Sequence, residues 1–185
     1  MSKIGIFMAD GCEEIEGLTV VDILRRAGIQ IEMISISGKA EVTGSHSITF
    51  KCDTLLKDAD IASYDGLVLP GGMPGTTNLG NDDTVTSSIK EFASSGKLVA
   101  AICAAPSVLG DNGILKGKKA TSYPGFEDRL AGAELREEAV VCDGNIITSR
   151  GMGTAIPFAL AITSYLIDDK AASDLGSKIM FSQFY

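Results

Sequence analysis

The chain has 185 residues, enough for one domain with a sizeable core but short for two. Apolar residues make up 45 % and charged residues 22 %, as in an ordinary globular protein, and the net charge is −8. An acidic surface repels phosphate backbones, so we expect no nucleic-acid partner. No apolar run approaches the ~18 residues that cross a bilayer, and no signal-peptide pattern opens the chain. We therefore expect one domain over residues 1–185, in the cytoplasm and away from membranes.

Short β-rich runs alternate along the chain with amphipathic segments of about 10–15 residues, a pattern typical of a mostly parallel sheet with helices on both faces. The predicted strands are Lys3–Met8, Gln30–Ile36, Gly66–Leu69, Lys97–Ile102, and two hairpin arms, Ala139–Cys142 and Asn145–Thr148, joined at Asp143-Gly144. The predicted helices are Glu14–Ala27, Asp82–Ser95, Ala104–Asn112, Gly153–Ile167 and Ala171–Met180. A small antiparallel excursion is predicted between Gly38 and Cys52, with Ser47–Phe50 as one arm.

Residues with useful chemistry gather where predicted strands end. In open parallel sheets, ligands bind beyond the carboxyl ends of the strands. The clusters at such ends are Asp10–Glu16, Pro70–Gly75 and Ile102–Pro106, and Ser149–Gly153 follows the hairpin. These four segments are the candidate site.

The cysteines show no CxxC pair and no zinc spacing; they are Cys12, Cys52, Cys103 and Cys142. Cys103 stands out because a strand runs directly into a helix there, as at the nucleophile elbow of α/β hydrolases. Pro106 fits the first helical turn. The helix N-terminus should lower the pKa of the thiol, and the Ala104 N–H is free for an oxyanion. The alternative is a buried structural cysteine at a strand end.

A glycine loop and an acid accompany this cysteine. Gly71 and Gly72 follow an apolar strand, where glycine lets the backbone approach a ligand, although a plain turn would look the same. Glu16 lies in the first turn of a helix, a common place for acids. A carboxyl beside a thiolate can also move a proton or hydrogen-bond an oxidised sulfur.

Four motifs, in this order, resemble the DJ-1 branch of the ThiJ/PfpI superfamily from end to end. The motifs are Glu-Glu-Ile-Glu at Glu13–Glu16, Leu-Pro-Gly-Gly at Leu69–Gly72, Ala-Ala-Ile-Cys-Ala-Ala-Pro at Ala100–Pro106, and Thr-Ser-Arg-Gly-Met-Gly-Thr at Thr148–Thr154. The resemblance implies a flavodoxin-like three-layer sandwich and, usually, a homodimer. No cofactor and no metal are expected.

The resemblance also implies roles for individual residues. Cys103 matches the reactive cysteine and Glu16 the acid that hydrogen-bonds to it. Gly72 and Ala104, with Gly71 in support, match the backbone of the anion pocket. The basic residues that match positions near the dimer seam and the site are Arg26 and Arg150. Solvated surface charges are the alternative for both.

The chain departs from the family pattern at two positions. Tyr123 stands where a histidine often follows the nucleophile helix, and Ala105 stands where relatives often have glycine. The single histidine, His46, lies in the excursion, where it is either structural or a base supplied across a dimer. Because a tyrosine hydroxyl is a poor base at neutral pH, proton transfer would fall mainly to Glu16. The absence of a histidine after Cys103 argues against PfpI-type peptidase and amidotransferase activity.

The resemblance implies a cofactor-independent cysteine enzyme that acts on α-oxoaldehydes. Its substrates would be small reactive carbonyls, with methylglyoxal converted to lactate, or early glycation adducts. Two alternatives remain open. A reactive thiol beside Glu16 also suits an oxidative-stress sensor or chaperone, and the missing histidine favours a silent, dimeric binding protein.

Overall fold

A computed structural model of the chain describes residues 2–181. The strands are β1 (Lys3–Met8), β2 (Gln30–Ser35), β3 (Glu41–Thr43), β4 (Thr49–Lys51), β5 (Thr54–Leu55), β6 (Gly66–Leu69), β7 (Leu98–Ile102), β8 (Lys119–Ala120), β9 (Glu134–Leu135), β10 (Val140–Asp143) and β11 (Ile146–Ser149). The α-helices are α1 (Glu14–Arg26), α2 (Gly75–Gly80), α3 (Asp83–Ser94), α4 (Pro106–Asp111), α5 (Ala155–Leu166) and α6 (Asp169–Lys178).

Seven of these strands form the central sheet, in the order β10-β11-β7-β6-β1-β2-β5. Every neighbouring pair is parallel except β10 and β11, which form an antiparallel hairpin. The run β2-β1-β6-β7-β11 is the doubly wound, flavodoxin-like order. The predicted α/β sandwich is therefore confirmed, and β3 and β4 form the small antiparallel excursion.

Both faces of the sheet are covered, so its central strands are apolar throughout. All residues of β6 and β7 are buried, as expected for parallel strands with helices on both sides. One core cluster joins the sheet to α1, α5 and α6; the other joins it to α2, α3 and α4. None of the helices in residues 2–181 has the length and apolar character needed to span a membrane.

The ends of the helices follow local capping chemistry. Glu13 caps α1, because its side chain accepts the backbone N–H of Glu16 at 2.7 Å. Acids in the first turn of α1 and arginines in its last turn complement the helix dipole. Asp168 caps α6 by accepting the N–H of Ala171, so this helix begins two residues before the prediction.

The structure also corrects the predicted elements in five other places. Helix α4 begins at Pro106 because residues 103–105 form the preceding turn. Helix α2 was missed, because Gly75–Gly80 has no apolar periodicity to mark it. The hairpin turns at Gly144-Asn145, one residue later than predicted. The excursion arm is Thr49–Lys51, and a 3-10 turn at Met152–Thr154 precedes α5.

Gly110 tests how tightly the helix after Cys103 is packed. A Cβ on Gly110 would lie 2.0 Å from the carbonyl oxygen of Arg129. We expect Gly110→Ala to lower the free energy of unfolding by about 1–3 kcal/mol, because backbone atoms cannot move aside easily. The matched control is Gly80→Ala in α2, whose added methyl would come no closer than 3.6 Å to Val108. Equal free energies of unfolding for the two variants, measured in urea, would contradict the tight packing of Gly110 against Arg129.

Candidate active site

Four adjacent strands place the predicted clusters along one edge of the sheet. Strands β11, β7, β6 and β1 are neighbours and parallel, so their carboxyl ends share that edge. The segments that follow them are 150–153, 103–106, 70–75 and 9–16. The sheet topology therefore brings together residues that are far apart in sequence.

Cys103 is held on both sides of its backbone. Its N–H donates to the Ser149 carbonyl oxygen at 2.9 Å, and its carbonyl accepts the Tyr123 N–H at 2.8 Å. Its φ is +65°, a left-handed conformation that is uncommon outside glycine and recurs at functional sites. The thiol is partly exposed, whereas Cys12 and Cys52 are buried. This sharp turn directs the side chain out of the strand at the edge of the sheet.

Glu16 reaches the thiol from the first turn of α1. Its side chain hydrogen-bonds Cys103, and Oε2 accepts the Gly71 N–H at 2.9 Å. Only 1 % of the residue is exposed. The backbone N–H of Gly71 therefore holds the Glu16 carboxyl beside the Cys103 sulfur, where the carboxyl is shielded from water.

Position 71 must be glycine because the Cys103 and Glu16 side chains lie so close to its backbone. A Cβ on Gly71 would lie 2.6 Å from Cys103 Cβ and 2.6 Å from Glu16 Oε2. The backbone N–H groups of Gly72 and Ala104 both interact with the Cys103 sulfur. The two amides that the family resemblance assigned to an anion pocket thus converge on the thiol.

The electrostatics of the pair correct the sequence expectation. Burial, followed by the charge and hydrogen bond of Glu16, raises the pKa of Cys103 to about 12, despite the opposing amides of Gly72 and Ala104. Burial likewise raises the pKa of Glu16 to about 7. The predicted fall in the thiol pKa at a helix N-terminus was wrong because burial and a facing carboxylate outweigh the short helix. Because two adjacent anions repel, the pair keeps one proton above about pH 7, and Cys103 becomes a thiolate when that proton passes from the sulfur to Glu16.

Tyr123 borders the site on the side of β11. Its side chain is 51 % exposed. A Cβ on Gly151 would lie 3.3 Å from Tyr123 Cδ2 and 4.0 Å from Glu16 Oε1. The ring and the carboxyl therefore both lie close to Gly151.

The three remaining predicted residues have partners elsewhere. Arg26, at the last turn of α1, pairs with Asp22 at 2.7 Å. Arg150 donates to the Glu137 carbonyl oxygen at 3.0 Å. His46 faces Glu14, with 3.2 Å between Nδ1 and Oε2. Among residues 2–181, the groups that interact with the Cys103 sulfur are Glu16, Gly72 and Ala104, and the three predicted side chains are not among them.

The family model for "DJ-1/PfpI family" matches residues 2–165. The chain belongs to the DJ-1/PfpI family. Within it, Drosophila melanogaster protein dj-1beta is 37 % identical over 177 residues, which cover 95 % of each chain. The structure described as Toxoplasma gondii DJ-1, oxidized, is similar with a TM-score of 0.94 and 34 % identity, covering 98 % of this chain and 99 % of that one.

The relatives differ in length and in name. The chain spans 45 % and 36 % of the Arabidopsis thaliana DJ-1 homologs A and B, to which it is 39 % and 40 % identical over 94 % and 84 % of its own length. A Bacillus subtilis relative, YraA, is provisionally named a cysteine protease; it is 37 % identical over 80 % of this chain and 88 % of its own. Membership of the family thus supports a DJ-1-type function without fixing the reaction.

Two residues support the site in ways that the sequence analysis did not assign to them. Glu13 caps the helix that carries Glu16, and its charge also raises the pKa of Glu16. Glutamate is not among the residue types preferred at helix N-caps, so the sequence carries no strong signal of this role. Ser149 fixes Cys103 through its carbonyl oxygen, and that contact depends on the register between β7 and β11. No local sequence feature marks it.

The raised pKa of Glu16 predicts a pH-dependent stability. The folded protein holds the proton of Glu16 up to about pH 7, against an ordinary value of 4.5. Wild type should therefore lose stability relative to Glu16→Gln as the pH rises from about 4.5 to about 7, by on the order of 2–3 kcal/mol. The difference should be constant above that range. Urea unfolding across this range measures it, with Glu41→Gln as an exposed control. If the difference in free energy of unfolding between wild type and Glu16→Gln did not change with pH, Glu16 could not be an uncharged buried acid.

Proposed function

We propose that the protein is a cofactor-independent cysteine enzyme that acts on α-oxoaldehydes, as a glyoxalase that forms lactate from methylglyoxal or as a deglycase of early glycation adducts. The observation that carries this proposal is the convergence of one thiol, one buried carboxyl and two backbone amides. These are a nucleophile, a proton carrier and an oxyanion site. The proposed setting is the cytoplasm, where thiols remain reduced.

In the proposed reaction, the ionised Glu16 first takes the proton of the Cys103 thiol, so that the sulfur attacks as a thiolate beside a protonated acid. The sulfur bonds to the aldehyde carbon of methylglyoxal, and the oxygen, protonated from Glu16, becomes the hydroxyl of a hemithioacetal. The amides of Gly72 and Ala104 stabilise the negative charge as it develops. The ionised Glu16 then takes the proton from that carbon and returns it to the neighbouring carbon through an enediol. Water cleaves the resulting thioester, which releases lactate and restores the thiol.

The departures from the family pattern shape this proposal. Tyr123 offers a hydroxyl rather than an imidazole, so Glu16 serves both proton-transfer steps. A buried acid with a pKa near neutrality suits that role, because it can give and take a proton at physiological pH. The peptidase activity suggested by the name of the Bacillus relative has less support, because Ala104 follows Cys103.

Lactate formation separates catalysis from simple trapping of the aldehyde by thiols. Wild type should form lactate from methylglyoxal over many turnovers, and Cys103→Ser should form none above the uncatalysed rate. Glu16→Gln should lose at least about a hundredfold in kcat, since it removes the proton carrier. The control is Cys142→Ser, which deletes an exposed thiol outside the site and should retain full activity. Turnover by Cys103→Ser would exclude the proposed nucleophile.

A second candidate function is oxidation sensing, favoured by the similarity to a DJ-1 structure described as oxidized. One peroxide molecule would convert the Cys103 thiolate to sulfenate, and a second would give sulfinate, each releasing water. The protonated Glu16 can donate a hydrogen bond to a sulfinate oxygen. Sensing and turnover would compete for the same sulfur.

Mass spectrometry after mild peroxide tests this candidate. Cys103 alone should gain two oxygens, because Cys12 and Cys52 are buried and the pKa of Cys142 responds to burial without a neighbouring acid that could bind a sulfinate. In Glu16→Gln the yield of sulfinate should change while oxidation of Cys142 stays as in wild type. Equal oxidation of all four thiols would count against a sensor role.

We also propose that the chain forms a homodimer through the outer face of α1. A groove of about 490 Å³ lies between α1, α5 and the segment after α6. Its apolar lining residues are Ile15, Leu18, Ile23, Ile156 and Ile179, with Asp22 and Arg26 at its edge. Ile15 is 50 % exposed and directly precedes the catalytic acid. A second copy is the proposed occupant because the groove exposes apolar residues of α1 and the family resemblance implies a homodimer.

Sedimentation equilibrium tests the proposed dimer. Ile15→Glu should raise the dissociation constant by at least about tenfold, because it brings a charge into an apolar contact. Ile167→Glu is the matched control: Ile167 is 47 % exposed and lies outside the groove. A wild-type monomer, or equal dissociation constants for the two variants, would reject this interface.

A further inference from the structure

The excursion and the first turn of α1 bring three metal-binding side chains together. They are Glu13, Glu14 and His46, and one potential ligand atom from each lies within 4.8 Å of the others. His46 Nδ1 is 3.2 Å from Glu14 Oε2 and 3.9 Å from Glu13 Oε1. His46 lies more than 30 positions after the two adjacent glutamates, so no motif spacing revealed the cluster.

The two carboxylates lack a permanent cation. The side chain of Glu14 is 2 % exposed and that of Glu13 is 12 % exposed, so both are largely removed from water. Within residues 2–181, no lysine or arginine forms a salt bridge with either of them, and His46 is their basic neighbour. Placing two anions together at low exposure is unfavourable without a compensating positive charge.

In each carboxylate, the oxygen that does not face the cluster is already held by backbone N–H groups. Glu14 Oε1 accepts the N–H groups of His46 and Ile48, at 2.8 and 3.3 Å, which leaves Oε2 towards the imidazole. Glu13 Oε2 accepts the Glu16 N–H, which leaves Oε1 towards the cluster. Such outer contacts orient metal ligands in proteins. The Ser45 hydroxyl, 3.1 Å from His46 Nδ1, would give up its contact on coordination.

We propose that Glu13 Oε1, Glu14 Oε2 and His46 Nδ1 bind a divalent transition-metal ion such as Zn²⁺. Ligand atoms on one such ion lie about 3–3.5 Å apart, because each is about 2.1 Å from the metal. The observed 3.2 Å meets this spacing, and the 3.9 Å separation needs only a small side-chain adjustment. One imidazole with two carboxylates favours zinc over calcium or magnesium, which prefer oxygen ligands alone.

The ion would lie at the rim of the Cys103 pocket. The Glu13 N–H donates to the Gly71 carbonyl oxygen at 2.9 Å, and Gly71 in turn binds Glu16. The His46 side chain is 70 % exposed, so solvent can complete the coordination sphere. Bound metal would fasten the excursion to the first turn of α1, beside the entrance to the thiol.

The test uses the full chain, without a histidine tag, carrying Cys103→Ser and Cys142→Ser so that the accessible thiols cannot bind the ion. Because His46 is the single histidine in the chain, its two ring nitrogens give the only imidazole signals in a long-range ¹H–¹⁵N spectrum. Titration with Zn²⁺ alone should shift the Nδ1 signal and saturate at one ion per chain. Calorimetry on the same protein gives the dissociation constant.

Two further variants make the result decisive. Glu13→Gln keeps a side-chain oxygen to cap α1 and should weaken Zn²⁺ binding by at least about tenfold. Glu41→Gln makes the same change on an exposed residue of β3 and should leave the dissociation constant unchanged. The proposal is overturned by the absence of saturable binding, by coordination through Nε2, or by equal dissociation constants for the two variants. None of these outcomes depends on the proposed glyoxalase activity.

Discussion

The contact between the Glu16 carboxyl, the Gly71 amide and the Cys103 thiol is the constraint on which the site depends. It joins the start of α1, the loop after β6 and the turn after β7. The contact leaves no space for a side chain at position 71. Because the three segments follow adjacent parallel strands, the contact exists only in the assembled sheet. The chemistry of the site is therefore inseparable from the strand order.

Three acids at the first turn of α1, Glu13, Glu14 and Glu16, differ in charge because their surroundings differ. Burial raises the pKa of Glu16 to about 7. Burial acts on Glu14 as well, but backbone N–H groups of Glu14, His46 and Ile48 outweigh it and lower the pKa of that carboxyl. Glu13 caps the helix. One short segment thus supplies a neutral acid, an anion and a helix cap.

The sequence was most informative where local pattern and topology agree. Buried strands such as β6 and β7 are apolar without interruption. The alternation of elements predicted a mostly parallel sheet, with Cys103 and Glu16 in segments beyond its carboxyl strand ends. The family resemblance added Gly72 and Ala104, whose amides do meet at the sulfur. These features depend on residue type and position along the chain, which a single sequence displays.

What the sequence could not supply depends on contacts between distant segments. The pKa of Cys103 rises because of burial and a facing carboxylate, whereas the local sequence shows only the helix that follows. The partner of His46 is Glu14, 32 residues away. Arg26 was expected near the site as well as the dimer seam, but it lies three turns of α1 from Glu16, about 15 Å along the axis. Capping by Asp168 and the short helix α2 have weak local signals that apolar periodicity does not detect.

The central claim is that Glu16 holds a proton beside the Cys103 sulfur near neutral pH. Infrared difference spectra between wild type and Glu16→Gln measure this directly, because a protonated carboxyl has a C=O stretch separate from the bands of carboxylates. The account predicts a protonated-acid band in wild type that persists from about pH 5 and disappears as the pH passes about 7. A spectrum in which Glu16 is already a carboxylate at about pH 5 would contradict it.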